Sequence, residues 1–284
     1  MWEIKEVIKK ASDLPSMPDV AFEVIRVADQ SDSSASTVAA TLSRDPSLSA
    51  RVLRLANSAF YGMARDVHSI QEAVVVLGMR TTKSLSLVAA SFPWLHVALK
   101  GKGLSPRLLW NHCLACASFS KALALKKSNI DPEQAFCIGL LHDIGTVALY
   151  LTLEDQFNLM IKQTQIDPRP FDEIEREVLG FDHAELGAAL GESWSLPKSF
   201  CKSIQYHHRP SLLEVPDSVT DIVHIADIMV RERGIHEGLE GAFFVRDEAA
   251  FERFGVEEEV LQEWLDEALE KLNASGLSSF AEAA

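Results

Sequence analysis

A histidine followed directly by an aspartate, His142-Asp143, ends an apolar segment of this 284-residue chain. Residues 140–141 are both leucine, and Ile144 follows the pair. A charged aspartate rarely lies in such surroundings unless it is paired or binds a metal ion. A simpler interpretation is a helix end closed by Gly145, with His142 and Asp143 capping polar groups. The hexapeptide alone leaves both interpretations open.

Further histidines and carboxylates fall within other apolar segments of helical spacing. Together with the pair they make the candidate metal ligands His112, His142, Asp143, His183, His207, His208 and Asp227. Helical bundles build metal sites from side chains that several helices direct inward. Imidazoles and carboxylates without thiolate partners suit Fe, Mn, Ni, Zn or Co rather than a closed zinc–sulfur site. The pattern therefore predicts one or two divalent transition metal ions.

Each candidate also has a purely structural explanation. His112 could be a hydrogen-bonded core histidine, and His183 could be an ordinary residue of a helix's first turn. The pair His207-His208 could form a polar helix end, while Asp227 could pair with Arg231 one turn later. A single shared site explains all of these residues at once, which favours the metal-site hypothesis.

Helix-start signals precede most of the apolar stripes. An Asp or Ser N-cap followed by proline, or by glutamate three residues later, marks such a start. These signals occur at Asp45-Pro46, Ser69–Glu72, Ser105-Pro106, Asp131-Pro132 and Asp182–Glu185. Few segments alternate as strands do, and the β-branched run at 74–76 follows a capping box. We predict an all-α fold.

Two local features of these helices lead to specific predictions. The stripe formed by Leu48, Val52 and Leu55 should face the core, because its spacing is that of one helical face. A helix over about residues 81–90 should end at Pro93, because proline disrupts the interior of a helix.

The composition limits the class of protein. A net charge of −14 argues against nucleic acid as the main partner, because phosphate backbones need a basic surface. The sequence has no uninterrupted apolar run long enough for a membrane span and no secretory signal, so we predict a cytoplasmic protein. Cys113 and Cys116 have C-x-x-C spacing but lie in an apolar helical run, which favours buried packing residues.

The order of the candidate ligands resembles a known family. His112, then His142-Asp143, then Asp227 is similar to the H…HD…D pattern of the HD metal-dependent phosphohydrolases. His183 and His207-His208 look like the additional ligands of the HD-GYP cyclic-dinucleotide phosphodiesterases. The chain as a whole resembles the HDOD family, the HD-related output domain of bacterial signalling proteins. The similarity covers about residues 10–235 and includes the segments 14–18, 48–58, 73–78, 141–145, 182–197 and 206–208.

The resemblance implies a two-part helical fold, with an N-terminal helical lobe packed on an HD-like bundle. We place a soft boundary at the glycine-containing residues 101–103. The predicted units are an N-terminal lobe over 1–103, an HD-like lobe with the metal site over 104–235, and a C-terminal helical extension and tail over 236–284.

Two departures separate the chain from HD-GYP enzymes. Those enzymes carry a lysine directly after the HD-x-G element, where this chain has Thr146. They also carry a GYP loop after the paired histidines, where this chain has Arg209-Pro210-Ser211. The lysine would contact phosphate, so its absence argues against cyclic-di-GMP hydrolysis but not against metal binding. Arg209 is the nearest sequence candidate for a phosphate clamp, although a solvated helix end explains it as well.

The resemblance supports two functional hypotheses. The first is a signalling module that retains a metal site and binds a signalling protein partner or a phosphorylated small molecule. The second is a metal-dependent hydrolase of a phosphomonoester, phosphodiester or cyclic nucleotide. In that case Asp143 would bridge two metal ions, and Asp143 or a histidine such as His142 would take a proton from the attacking water. The missing lysine and loop favour the first hypothesis, and the retained ligands favour the second.

Overall fold

The structure, a computed structural model, describes residues 2–11, 19–28, 30, 32–58, 61, 65–98, 105–127, 129–236, 238, 243–275 and 277. The proline-containing segment 14–18, the predicted boundary at 101–103 and the tail residues 278–284 lie outside that set. Every regular element within it is helical, apart from an isolated bridge between Pro170 and Phe243. The prediction of an all-α fold is confirmed.

The N-terminal lobe is organised around one long helix. The first five helices of the chain are α1 (Ile4–Ala11), α2 (Asp19–Ala28), α3 (Ala35–Leu42), α4 (Pro46–Ala56) and α5 (Ile70–Ala98). Helix α5 consists of two helical segments that meet at Gly78, where φ is 83° and ψ is 161°. Glycine adopts this conformation without the steric cost that a Cβ would bring. Helices α2, α3 and α4 all pack against α5.

The predicted helix end at Pro93 is wrong, because α5 continues through this residue to Ala98. A proline removes one main-chain hydrogen bond and crowds the preceding turn, which disfavours a helix interior without forbidding it. The helical path is instead interrupted at Gly78, before the predicted helix over about residues 81–90.

The second lobe carries the remaining helices. They are α6 (Pro106–Leu125), α7 (Pro132–Leu141), α8 (Ile144–Thr152), α9 (Glu154–Ile166), α10 (Phe171–Leu179), α11 (His183–Ser193), α12 (Lys198–Tyr206), α13 (Ser218–Glu232), α14 (Glu248–Phe254) and α15 (Glu258–Ala274). Helix α6 packs against α7, α13 and α15, and α11 packs against α8 and α12. These contacts bring helices that are distant in sequence around one centre.

Side-chain caps determine where α7 and α11 begin, the helices that lead to His142 and carry His183. The Asp131 side chain accepts a hydrogen bond from the Glu133 N–H at 3.0 Å at the start of α7. At the start of α11, the Glu185 N–H donates to Asp182 and the Asp182 N–H donates to Glu185, a complete capping box. As a result, α7 begins at Pro132 and His183 is the first residue of α11; at its other end, α7 stops just before His142.

The two lobes share helix contacts, with α5 against α6, α7 and α8, while α1 packs on α8 and α11 of the second lobe. The apolar stripe of α4 is buried as predicted, since Leu48, Val52 and Leu55 are all 0% exposed. The fold therefore agrees with an N-terminal helical lobe packed on an HD-like bundle.

Replacement of Leu55 by alanine should lower the free energy of unfolding by about 2–5 kcal/mol, because it removes buried apolar area and leaves a cavity. Chemical denaturation measures the change. Val75→Ala is the matched control, since Val75 of α5 is 65% exposed and should change stability by only about 0.5 kcal/mol. Equal effects of the two substitutions would show that the α4 stripe does not contribute to the core.

Two stretches, Ile70–Ser91 and Pro132–Thr152, are long and apolar enough by composition to cross a membrane. Most of each stretch is buried against other helices, at 61% and 89% of the most apolar window. Apolar core helices have the same properties, so the two stretches are consistent with positions inside the helical bundle.

Candidate metal centre

The predicted metal ligands lie together in one buried cluster, and none of them is more than 5% exposed. They are His112 of α6, His142 and Asp143 between α7 and α8, His183 of α11, His207 and His208 after α12, and Asp227 of α13. Buried charges are costly unless they are paired or bind a metal ion. A shared site therefore accounts for all seven positions.

One part of the cluster, which we call the first donor group, comprises Nε2 of His112, Nε2 of His142, Oδ2 of Asp143 and Oδ1 of Asp227. The five atom pairs in this group that include a histidine nitrogen are 3.1–3.5 Å apart. Four atoms that bind one ion tetrahedrally at about 2.1 Å lie about 3.4 Å from each other. The spacing of the first donor group therefore suits a transition metal ion.

The second donor group comprises Oδ1 of Asp143 and the rings of His183, His207 and His208. His183 Nε2 lies 3.4 Å from Asp143 Oδ1 and 2.8 Å from His208 Nε2. His207 Nε2 lies 3.8 Å from the same aspartate oxygen. Asp143 thus presents one carboxylate oxygen to each donor group, which is the arrangement that a bridging ligand requires.

Several donor atoms lack a hydrogen-bond partner. Among the described residues, these buried atoms include Asp143 Oδ1, His207 Nε2, His208 Nδ1 and Asp227 Oδ2. Buried polar atoms without partners are rare in native proteins because their desolvation is not compensated. A metal ion bound by the cluster would compensate them, so the residues present fit such an ion.

Main-chain carbonyls orient three of the imidazoles. His142 Nδ1 lies 2.7 Å from the Gly139 carbonyl, and His207 Nδ1 lies 2.7 Å from the Ile204 carbonyl. His112 Nδ1 lies 3.0 Å from the carbonyl of Ile235. A carbonyl can only accept, so each Nδ1 carries a proton, and Nε2 is the atom of the neutral ring that can bind an ion in the cluster. Metal-binding histidines are commonly oriented in this way.

Glu175 of α10 orients the imidazole of His183 in the same way. This residue was not among those predicted from the sequence. Its Oε2 accepts from His183 Nδ1 at 2.6 Å and from the His183 N–H at 3.0 Å. Glu175 is 0% exposed and follows the spacing of Phe171 and Ile174 on the buried face of α10. An acidic residue on an apolar helical face was the signal that could have identified it.

Arg231 and Phe244 complete the surroundings of the cluster. Arg231 pairs with Asp227, as the structural alternative for that residue predicted, yet Asp227 also belongs to the first donor group. The Phe244 ring stacks on His208 with centroids 4.2 Å apart and planes 7° apart. The guanidinium carbon of Arg231 lies 4.2 Å from the same ring centroid. Phe244 therefore covers the cluster beside the second donor group.

Two further residues, His224 and Arg209, make polar contacts outside the two donor groups. His224 Nδ1 donates to the His207 carbonyl at 2.8 Å, and its Nε2 accepts from the Asp247 N–H at 2.9 Å. The Arg209 guanidinium pairs with Asp172 at 2.7 Å instead of with a donor of the cluster.

Cys116 is buried as a free thiol, with Sγ 3.6 Å from His112 Nε2. Burial raises the pKa of the Cys116 thiol well above its usual value, so it remains protonated. Cys113 is also buried and outside any disulfide, in agreement with the packing role predicted for it, whereas Cys116 Sγ lies with donor atoms of His112, His142 and Asp227.

The charges inside the metal-free cluster shift its histidine pKa values. Burial disfavours the charged form of His142, but the neighbouring carboxylates outweigh burial and raise the pKa of His142 to about 10. Burial is likewise outweighed at His183, where Glu175 contributes most to raising the pKa to about 10. At His207, burial and the nearby His142 both lower the pKa, to about 3. His142 and His183 are therefore protonated at neutral pH, whereas His207 is neutral.

Metal affinity should consequently increase with pH. An imidazole binds a metal ion in its neutral form, so His142 and His183 must each lose a proton when an ion binds. Because both pKa values lie near 10, affinity should rise throughout the range from about pH 6 to about pH 8, by up to about tenfold per unit for each proton released. Calorimetric titration in buffers of different ionisation enthalpy measures both affinity and proton release.

The stability of the metal-free protein should change in the opposite direction. Both pKa values exceed the ordinary histidine value of 6.5, so the protonated side chains stabilise the folded state fully below that pH. This contribution is lost as the pH rises toward 10 and beyond. Chemical denaturation of the metal-free protein at several pH values tests whether stability falls as the pH rises.

A metal affinity that does not change with pH would contradict the assignment of the released protons to His142 and His183.

Comparison with known proteins places this arrangement in a family. The family model of the HDOD domain matches residues 14–210. An uncharacterized protein of Treponema pallidum (strain Nichols) is 28% identical over 235 residues, which cover 79% of this chain and 44% of that protein. The chain thus spans less than half the length of this curated relative.

Solved structures share the whole fold. An HDOD domain protein of Geobacter sulfurreducens is 27% identical, with a TM-score of 0.78 and 96% of each chain covered. A candidate phosphohydrolase of Shewanella amazonensis SB2B is 28% identical, with a TM-score of 0.67, and the match covers 97% of this chain and 93% of that one. Because the family model matches more than half of the sequence and the fold agrees over nearly all of it, the chain belongs to the HDOD family.

Proposed function

We propose that this protein is a regulatory module of bacterial signal transduction that holds one or two divalent transition metal ions. The first and second donor groups would bind the ions, and Asp143 would connect them. Fe, Mn, Ni, Zn and Co all suit imidazole and carboxylate ligands. The module would act through contact with a signalling protein or through a phosphorylated small molecule.

The enclosure of the cluster is the observation that favours a regulatory module over an enzyme. Catalytic metal sites keep a position open for water or substrate. Here every candidate ligand is at most 5% exposed, and the Phe244 ring stacks on His208. Thr146, buried at 2% exposure, stands where related diesterases have a phosphate-binding lysine. Enclosed ions would stabilise the helical arrangement without direct access to a substrate.

Metal analysis of the purified protein tests this proposal. Protein prepared without chelators should contain one or two transition metal ions per chain by mass spectrometry of the elements. The cluster has four buried donor atoms without hydrogen-bond partners among the described residues, so an ion should remain bound through dialysis. Protein that is free of metal, and that takes up none when Mn, Fe, Co, Ni or Zn is supplied, would contradict the proposal.

A metal-dependent phosphohydrolase is the second candidate function. One observation that supports it is that the two carboxylate oxygens of Asp143 belong to different donor groups. The other is the similarity to the candidate phosphohydrolase of Shewanella amazonensis SB2B. A bound metal pair would supply a lowered pKa for a coordinated water and positive charge for a phosphoryl group. Glu175 would hold the His183 ring in place, and Arg231 would supply further positive charge beside Asp143.

Hydrolysis of a chromogenic phosphodiester separates the two functions. Metal-loaded wild type should show only the background rate of Asp143→Ala if the protein is a regulatory module. Phe244→Ala should be assayed beside them, because it removes the ring that covers the centre and so tests whether closure alone prevents turnover. Metal-dependent turnover by wild type that Asp143→Ala abolishes would replace the regulatory proposal with the enzymatic one.

A further inference from the structure

The guanidinium of Arg231 contacts the same carboxylate oxygens that belong to the first donor group. Its Nε donates to Asp227 Oδ1 at 2.7 Å, and its Nη2 lies 3.3 Å from Asp143 Oδ2. These two oxygens are also within 3.5 Å of the Nε2 atoms of His112 and His142. A side-chain cation therefore shares the first donor group with the position that suits a metal ion.

The carboxylate oxygen of the second donor group, Asp143 Oδ1, accepts no hydrogen bond from an arginine among the described residues. Asp143 Oδ1 and Asp227 Oδ2 both lack a hydrogen-bond partner in the described part of the chain, so the Arg231 guanidinium does not donate to either atom. Arg231 thus donates to one oxygen of each carboxylate, and both of these oxygens belong to the first donor group.

Arginine keeps its positive charge at every pH that the folded protein experiences. It is 13% exposed at its side chain, so the interaction with the buried carboxylates is only weakly screened by solvent. A divalent ion in the first donor group would meet a permanent charge of the same sign at the edge of its own ligands. Like charges at such distances oppose one another strongly in a buried site.

We propose that Arg231 is a resident cation that competes with a metal ion for Asp143 Oδ2 and Asp227 Oδ1. The second donor group fills first and tightly, whereas the first donor group fills weakly because Arg231 already neutralises its carboxylates. The protein consequently changes between a one-ion and a two-ion state as the metal concentration rises. This inference rests on the proposed metal centre.

Removal of the Arg231 charge should equalise the two donor groups. Arg231→Gln should tighten the weaker binding step by about tenfold or more and leave the tighter step within about threefold of its wild-type value. Arg231→Lys keeps the charge and should keep the weak step. Arg209→Gln is the matched control, because Arg209 also pairs with a buried aspartate, Asp172, but lies outside the donor groups.

Titration of the metal-free proteins with Co²⁺, followed by calorimetry and visible absorption, tests the inference. Wild type should show one tight and one weak step, and His183→Ala should remove the tight one. A weak step unchanged by Arg231→Gln overturns the inference but leaves the metal centre intact. The absence of Co²⁺ binding in every protein contradicts the metal centre itself. If Arg231→Gln does not fold, the Co²⁺ affinity of His183→Ala tests the inference instead, because the first donor group is intact in that variant. Tight Co²⁺ binding by His183→Ala also overturns the inference.

Discussion

Protein carrying both His142→Ala and Asp143→Ala should bind no metal ion and should melt at the same temperature with and without added metal. The two residues supply a ligand to the first donor group and the carboxylate that connects both groups. An ion present at about a thousand times its Kd stabilises the folded wild type by about 4 kcal/mol. For a chain of this size the wild-type melting temperature should therefore rise by about 10 °C when metal is added.

The matched control is Asp66→Ala with His68→Ala, which removes the same two residue types from exposed positions in the N-terminal lobe. Its metal content and its metal-induced rise in melting temperature should equal those of wild type. Differential scanning fluorimetry with and without metal, together with elemental analysis, gives both quantities. A double variant of His142 and Asp143 that still gains stability from metal would show that the ions bind elsewhere.

Gly145→Ala should destabilise the protein by about 3 kcal/mol or more, because the helices on either side cannot make room for a methyl group. A Cβ at Gly145 would lie 1.9 Å from the carbonyl oxygen of His183 and 2.8 Å from the main-chain nitrogen of Gly187. Both contacts are with the backbone of α11, so no side chain can rotate away. Separation of α8 from α11 would also move Asp143 away from His183 and weaken the metal centre.

Gly191→Ala in α11 is the control for this substitution. Its Cβ would first meet the Cys201 Sγ at 3.1 Å, a side-chain contact that a small shift relieves. Urea denaturation should give a much smaller loss of stability for this variant, and its metal affinity should match that of wild type. A stable Gly145→Ala protein with unchanged metal affinity would show that α8 and α11 are not held at this close distance.

The amino-acid sequence alone was enough to predict the helices and the candidate ligands. N-caps such as Asp131 and the Asp182–Glu185 box act within one turn, so their effect does not depend on the rest of the fold. The spacing of Leu48, Val52 and Leu55 likewise predicts burial, because the helical period alone sets which side chains share a face. Local rules failed at Pro93, because α5 continues through this proline to Ala98.

Tertiary structure alone decided how the candidate residues are arranged. Nothing in the order of residues indicates that the two oxygens of Asp143 serve different donor groups, or that Glu175 holds His183. The same is true of Phe244, which covers His208, and of Arg231, which contacts Asp143 from 88 residues away. These contacts depend on how α6, α8, α10, α11 and α13 pack, and packing is set by the complementary shapes of many side chains together. The residue types in the cluster are therefore a property of the sequence, whereas its charge balance and its enclosure arise from the packing of distant helices.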